Sequence, residues 1–318
     1  MLMDVSIVIP NYNGENLIKK NLNKVAETLY KFSKEKNKKT EIVIVDDFSQ
    51  DNSIKELENV VKEWEGRLKI KFIKNDKNYG FSTTVNNGVR IANGEIVILL
   101  NTDITPENDF ITPLLLHFKD EDVFAVGCMD KSIEKEGVVL RGRGLAKWKR
   151  GFLIHRKGDV KGDKTLWVSG GSGAFRRSIW QKLGGLNEIY NPFYWEDIDL
   201  SYRALKSGYK LFFEPKSVVI HEHEKGAIKS KYSPLEVKII AYRNQFIFVW
   251  SNADFSYILL NVVFIPYYIA KAILNKDKAF FIGLLKAILL LPRIVDINFK
   301  NRKLFIKTDA QIINEVNR

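Results

Sequence analysis

The chain has one cysteine, Cys128, in 318 residues. One thiol excludes an intrachain disulfide framework and a thiolate-rich metal site, and it points to a reducing compartment. The glycine fingerprint of dinucleotide-binding enzymes is absent, which argues against a nicotinamide enzyme. The opening stretch MLMDVSIVIP lacks a basic region followed by an apolar region and a cleavage site, so a secretory signal is not expected. No reading helix or zinc site for nucleic acid is recognisable, and no nucleic-acid partner is expected. What is abundant is lysine and arginine. The formal net charge is +12, which suits a phosphate-bearing substrate or an anionic membrane surface and is equally compatible with a plain basic exterior. An apolar content of 45% and a charged content of 28% fit a folded protein of roughly two domains.

Residues 5–9 (VSIVI) read as a short buried strand, and PNYNGEN as the turn after it. A helix is predicted over 15–36, a strand over 41–45, a helix over 53–66 and a third strand in LKIKFIKN. NYGFSTTVNNGVRIANG is a polar loop leading into a helix at 82–92, and EIVILLNTD is the fourth strand. Strands separated by helices predict βα units and a mostly parallel sheet. Ligands gather at the carboxyl ends of such strands. Three ends carry informative groups: Pro10-Asn11-Tyr12, Asp46-Asp47 and Asn101-Thr102-Asp103. A single aspartate after a strand is commonly a turn former; several polar ends on one sheet edge ask for more.

Residues 111–120 read as a helix, 123–129 as a strand, and the basic, glycine-rich stretch 131–166 as extended segments and loops. A helix is predicted near 177–183. FYWEDIDLSYRALKSG reads as a helix opening on acids and capped by Gly208, and KLFFEPKSVVIHEHEKG as a strand pair and loop. The remainder is apolar and helix-rich: 246–250, 255–274 and AFFIGLLKAILLLPRI.

VSIVIPNYN, EIVIVDDFSQDNS, NYGFSTTVNNGVRIANGEIVILLNTDI and PFYWEDIDLSYRALKSGYKLFFEPKSVVIHEH, in that order, resemble family 2 glycosyltransferases, and more closely their rhamnosyltransferase-like branch. The likeness covers about residues 4–225. It implies a GT-A fold: an α/β, Rossmann-like, mostly parallel sheet flanked by helices, here with a helical C-terminal extension. It implies a catalytic domain over 1–225, with a nucleotide part over 1–110 and an acceptor part over 111–225, and a tail over 226–318. The activity implied is metal-dependent, inverting transfer of one sugar, a hexosyl or rhamnosyl group, from a UDP- or dTDP-sugar to a glycan acceptor in surface polysaccharide or glycoprotein glycan synthesis. The Gln-x-x-Arg-Trp block of processive synthases is not matched; the nearest stretch is YRNQF.

Such transfer puts negative charge on the leaving diphosphate and positive character on the sugar carbon. Mg²⁺ or Mn²⁺ on oxygen ligands meets the first demand. Asp103 is the expected carboxylate. The family block is often Asp-x-Asp, and here its first position is Asn101, a neutral group that accepts through its carbonyl oxygen or donates through its amide. Family position makes His221 a metal ligand, with His223 the alternative. Glu196 and Asp197 match the family's Glu-Asp pair, Asp197 being the expected general base and Glu196 a holder of a hydroxyl. Asp199 reads as structural, pairing with Arg203. On the nucleotide side the resemblance implies Pro10, Asn11, Tyr12, Asp46, Asn78, Gly80, Phe81, Asn86, Asn101, Thr102 and Asp103, with Asp46 reading the pyrimidine and Asp47 serving the turn. Gly171 and Ser172 are expected near the donor sugar. Arg176 and Arg177 are expected at the diphosphate or in solvent.

The tail stretch 255–274 is long enough to cross a bilayer, but it carries Asn261, Pro266 and Lys271. Basic residues recur around the apolar runs. The expectation is peripheral or monotopic attachment to the cytoplasmic face of the cell membrane, with a polyprenyl-diphosphate-linked acceptor whose phosphates meet Arg141, Arg143, Lys147, Lys149 or Arg150. A homodimer interface is the competing use of the tail. A non-catalytic, glycan-binding partner of another transferase is the competing function, and Asn101 is the residue that favours it.

Overall fold

The computed structural model describes residues 4–134, 137–221 and 231–317. Strand and helix alternate through β1 (Val5–Asn11), α1 (Glu15–Lys36), β2 (Thr40–Asp46), α2 (Ser53–Glu63), β3 (Lys69–Lys74), α3 (Phe81–Ile91) and β4 (Ile96–Leu100). β1, β2 and β4 are nearly uninterrupted apolar runs because the sheet is covered on both faces. Val5, Ile7, Ile9, Ile42, Ile44, Ile96 and Ile98 lie under α1 and α2, whereas Val8, Val43, Val97 and Leu99 face α3 and later segments. Each fully buried valine or isoleucine of this kind contributes about 1.5–3 kcal/mol. α1 presents Ile18, Leu22, Val25, Leu29 and Phe32 to the sheet at helical spacing and stops at Asn37, which adopts the left-handed conformation that ends helices.

The chain continues through β5 (Ile104–Pro106), α4 (Ile111–His117), β6 (Val123–Glu134), β7 (Gly137–Arg141), β8 (Gly144–Lys149), β9 (Phe152–Lys157), β10 (Ser172–Arg176), α5 (Arg177–Lys182), α6 (Glu196–Lys206) and β11 (Lys210–His221). Among the described residues the main sheet runs β3-β2-β1-β4-β10-β6-β11-β5, with β7 paired to β6. It is parallel from β3 to β4, and β10 then enters antiparallel to both β4 and β6. This is the expected α/β architecture, parallel in its first half and mixed beyond.

Two local differences from the sequence expectation shape the site. The strand pair expected in KLFFEPKSVVIH is one strand, β11, whose register slips between Glu214 and Val218. Pro215 lies in that slip, and proline has no N–H to give to a ladder. β5 was not foreseen. It is a three-residue strand that pairs antiparallel with the end of β11, setting His221 opposite Ile104.

The tail is helical: α7 (Pro234–Asn252), α8 (Phe255–Leu274), α9 (Lys278–Leu289), α10 (Leu291–Arg302) and α11 (Asp309–Asn317). α7 opens on a reciprocal capping box between Ser233 and Glu236, with proline at its first position. The tail is docked on the β8–β9 hairpin and α6. Trp148 stacks on Tyr257 at 4.5 Å, and Phe152 packs edge-on against Phe246 and Tyr268.

Candidate active site

The carboxyl ends of β2, β1 and β4 open into a cavity of about 920 Å³. Its wall includes Pro10, Asn11, Tyr12, Asp47, Asn78, Gly80, Phe81, Asn101, Thr102, Asp103, Gly171, Glu196, Asp197 and His221. Residues from widely separated stretches of the sequence therefore share one space. Asp46, Asn86 and Ser172 are not on that wall.

The placement of Asp46 corrects the expectation. Its carboxylate is spent in the turn, accepting from Asn11 Nδ2 at 2.7 Å, Ser49 Oγ at 2.6 Å and Ser49 N at 2.9 Å. Asp47 is the member of the pair on the wall. It accepts from the backbone N–H groups of Tyr79 and Gly80, each at 2.9 Å, and so shapes the loop entering α3. Gly80 has φ +89° there, a conformation that suits glycine. Asn86 instead clasps the backbone of Leu186 from both sides, and Ser172 is buried as the first residue of β10.

Asn101 and Asp103 sit on a tight turn between β4 and β5, closed by Ile104 N donating to Asn101 O at 3.1 Å. Asp103 Oδ2 lies 3.2 Å from His221 Nε2, a contact made by the β5–β11 pairing. The other ring nitrogen, Nδ1, lies 2.9 Å from Asp130 Oδ2. Burial pulls the His221 pKa down, but the hydrogen bonds with Asp103 and Asp130 outweigh it and raise the value to about 9. Among the described residues Asp103 Oδ1 and Asn101 Oδ1 are both buried with no hydrogen-bond partner. A buried oxygen left unsatisfied is unfavourable unless a ligand completes it. Asp103 and His221 thus fit a divalent cation as a two-residue set, with Asp130 orienting the ring from behind. Among the described residues no three His, Cys, Asp or Glu side chains gather as a metal cluster. Such a cation would take its remaining ligands from water and diphosphate oxygens. His223 lies outside the described residues. Asp130 lies within β6 and no sequence motif marks it, so the sequence reading does not single it out.

The acids Glu196 and Asp197 open α6 after two consecutive residues in the left-handed region, Tyr194 at φ +72° and Trp195 at φ +77°. Non-glycine residues hold that conformation only when their surroundings enforce it. Burial raises the pKa of Glu196 well above the usual carboxylate range, and the neighbouring charge of Asp197 adds to it. Burial also raises Asp197, opposed by hydrogen bonds from the backbone N–H groups of Ile198 and Gly170. Burial thus raises both acids, Glu196 the more strongly, because Asp197 alone receives the offsetting backbone N–H groups of Ile198 and Gly170. Gly170 N is 3.4 Å from Asp197 Oδ2, while a Cβ on Gly171 would fall 2.6 Å from Asn101 Nδ2. Two adjacent glycines therefore bridge the Asp197 end of the cavity to the Asn101–Asp103 end.

Asp199 is fully buried and pairs with Arg203 at 2.8 Å, as the spacing predicts. Arg176 and Arg177 are neither at the cavity nor free in solvent. Arg176 donates to the carbonyls of Val123, Phe118 and Asp120, and Arg177 to Gly94. Strand β10 carries them to the amino end of β4, away from the site. Of the basic residues expected at acceptor phosphates, Arg141 alone is on the cavity wall, paired with Glu134. Arg150 instead packs on the Tyr267 ring.

Residues 6–184 match the family model described as glycosyl transferase family 2, and the chain belongs to that family. The O-antigen chain rhamnosyltransferase WbaN of Salmonella anatum is 26% identical over 223 residues, covering 69% of this chain and 66% of that protein. The chain thus spans just under two-thirds of that relative. A crystal structure of GalNAc-T7 with UDP, GalNAc and Mn²⁺ is similar at a TM-score of 0.63 and 20% identity, covering 79% of this chain and 48% of that one. The mannosyltransferase PcManGT from Pyrobaculum calidifontis, in complex with GDP-Man and Mn²⁺, is similar at 0.57 and 18%, covering 96% of this chain and 81% of that one. At these identities the likeness is one of fold, and the fold is GT-A-like.

Proposed function

We propose that the protein is an inverting glycosyltransferase that moves one sugar, hexosyl or rhamnosyl, from a UDP- or dTDP-sugar to a hydroxyl of a polyprenyl-diphosphate-linked glycan in surface polysaccharide or glycoprotein glycan assembly. The observation that carries this reading is one cavity whose wall holds Asp103, His221, Glu196 and Asp197, with Gly170 against Asp197 and Gly171 against Asn101. The nucleotide is assigned to the wall of Tyr12, Asp47 and Asn78. Asp103 and His221 would hold a Mg²⁺ or Mn²⁺, which when bound would neutralise charge on the leaving diphosphate. Asp197 takes the acceptor hydroxyl proton as that oxygen bonds to the anomeric carbon. The bond to the diphosphate oxygen breaks on the opposite face, and its electron pair leaves with the diphosphate, so the configuration inverts. The relatives support the donor class: the two solved structures hold nucleotides or a nucleotide sugar with Mn²⁺, and WbaN is a rhamnosyltransferase. The test is release of nucleoside diphosphate from a panel of nucleotide sugars with lipid extract and Mn²⁺. Release from a UDP- or dTDP-sugar that stops with chelator is expected; no release from any donor contradicts the reading.

The same reading includes attachment to an anionic membrane surface. α8 has 20 residues, is apolar and long enough to cross a membrane, and is mostly exposed. Its exposed apolar residues, Phe255, Leu259, Val262, Val263 and Ile273, recur at helical spacing on one face. Phe281, Leu285 and Leu289 of α9, and Val295 and Phe299 of α10, are exposed as well. Lys271, Lys278, Lys286, Arg293 and Lys300 are interspersed with them. The opposite face of α8 is held to the protein: Asn261 is fully buried and accepts from Trp250 at 2.9 Å. A Cβ on Gly151 would fall 2.2 Å from the Asn261 Cα. A helix with one face seated on the protein and the other exposed and apolar supports attachment in the plane of the membrane. Expected is binding to vesicles containing phosphatidylglycerol, weakened by salt and lost in Leu259→Asp with Leu285→Asp. Absence of vesicle binding, with a salt-insensitive dimer by sedimentation, would assign the face to a second copy instead.

A further inference from the structure

Helix α7 reaches back to the loop that carries the catalytic acids. Asn244 of α7 is fully buried. Its Nδ2 donates to the carbonyl oxygens of Tyr190 at 3.1 Å, Phe193 at 2.9 Å and Tyr194 at 2.8 Å. Arg243 beside it donates through Nη2 to Tyr190 O at 3.1 Å and Asn191 O at 2.7 Å. Arg243 Nε also donates to Asn244 Oδ1 at 2.8 Å. That last bond sets the amide's orientation, with its oxygen toward the guanidinium and its NH₂ toward the loop.

The loop so held ends in the left-handed pair Tyr194 and Trp195 and runs directly into Glu196 and Asp197. A fully buried amide within a helix is unfavourable unless its hydrogen bonds are made, and here the NH₂ is committed wholly to this one loop. The same two residues lie in YRNQF, the stretch that fails to match the processive-synthase block. The family model ends at residue 184, so neither the acids nor their clamp belongs to the matched region.

We propose that Asn244 is the positioning residue for the general base, with Arg243 orienting its amide, so that α7 is a working part of the active site. The proposal rests on the assignment of Asp197 as the base. Asn244 touches no reacting atom. It holds the strained turn that aims Asp197 at the acceptor hydroxyl, and small misplacements of a reacting group are expensive in rate, about 10²-fold for 1 Å.

Asn244→Asp tests this, because it keeps size and shape while replacing the donor NH₂ by an acceptor. With the nucleotide sugar that gives wild-type turnover, kcat is expected to fall about 10–100-fold. UDP or dTDP binding in Mn²⁺ is expected to stay within about twofold of wild type by calorimetry. The acid limb of the pH–kcat profile is expected to move. Arg243→Met is expected to show a smaller loss of the same kind, and it decides the matter if Asn244→Asp does not fold. Wild-type kcat with an unmoved acid limb overturns the proposal. Equal losses in nucleotide affinity and kcat overturn it too, since they mark a general structural role. Asp197→Asn run alongside separates the layers. An inactive Asp197→Asn with a fully active Asn244→Asp removes only the clamp; a fully active Asp197→Asn removes the base assignment and the clamp with it.

Discussion

Asp197→Asn is expected to lower sugar transfer by about 10²–10⁴-fold, the range a positioned general base supplies, while nucleotide affinity is expected to stay within about twofold. The acceptor hydroxyl cannot give its proton to an amide. The substitution is nearly isosteric, so the oxygen that receives the N–H of Ile198 at 2.8 Å is retained. Its neighbour gives the contrast. Burial and the Asp197 charge hold Glu196 well above the usual carboxylate range, so its working form is the protonated acid. Glutamine resembles that form, and Glu196→Gln is expected to be the milder change by at least tenfold, roughly one RT-scaled step of 1.4 kcal/mol. Steady-state rates for the two variants, beside nucleotide titrations, check both statements. The raised pKa of Asp197 adds a pH signature: the rate falls with acid at a higher pH than an ordinary aspartate would give. Equal loss in both variants would mean that the pair acts as a unit and that the proton is not confined to Glu196.

The second large effect separates the two positions of the Asn101-Thr102-Asp103 block. Asp103→Asn is expected to reduce Mn²⁺-dependent transfer by about 10²-fold or more, the scale of losing a charge-stabilising group at a leaving diphosphate. Asn101→Asp is expected to keep activity and to tighten Mn²⁺ binding. Asp103 is one of the carboxylates on the His221 ring, and its Oδ1 has no hydrogen-bond partner among the described residues. Asn101 is packed against Gly171, so the exchange must fit the same space, which aspartate does. His221 titrates at about 9 and must be deprotonated at Nε2 to serve as a ligand. Mn²⁺ affinity is therefore expected to rise with pH through neutrality toward that value. In the protein without metal the sign is opposite. The raised pKa makes the His221 ion pairs a stabilising contribution that is whole below about 6.5, the unfolded value, and is lost as pH rises through about 9. Asp103→Asn removes one of the carboxylates that raises His221, so the loss begins at lower pH. Severe, equal damage from Asn101→Asp would give Asn101 a steric hydrogen-bonding role instead.

The parallel half of the fold was readable because its signals are local. Apolar runs such as Ile96–Leu100, helices with one apolar stripe such as α1, and polar strand ends each announce themselves within a dozen residues. Asp103, Asp197 and His221 could be named from motif position, and the structure draws all three to one cavity. What stayed hidden depends on contacts far apart in sequence. The choice between Asp46 and Asp47 turns on which carboxylate Asn11 and Ser49 capture. Asp130 matters through the β6–β11 pairing that sets it beside His221, and nothing in VFAVGCMD marks it. Charge alone left Arg176 and Arg177 either at the diphosphate or in solvent, and antiparallel entry of β10 carries them instead to the amino end of β4. Asn244 belongs to a helix whose sequence reads as plain apolar packing. Its part appears only where three loop carbonyls converge on it.

The most direct test of the account is a crystal of the protein with UDP or dTDP and Mn²⁺, measured at the manganese absorption edge. The account predicts an anomalous peak coordinated by the Asp103 carboxylate and His221 Nε2 and bridged to the diphosphate, with the base and ribose against Tyr12, Asp47 and Asn78 and with Asp197 left clear for the sugar and acceptor. A metal bound away from Asp103, or a diphosphate seated against Asp197, would contradict it.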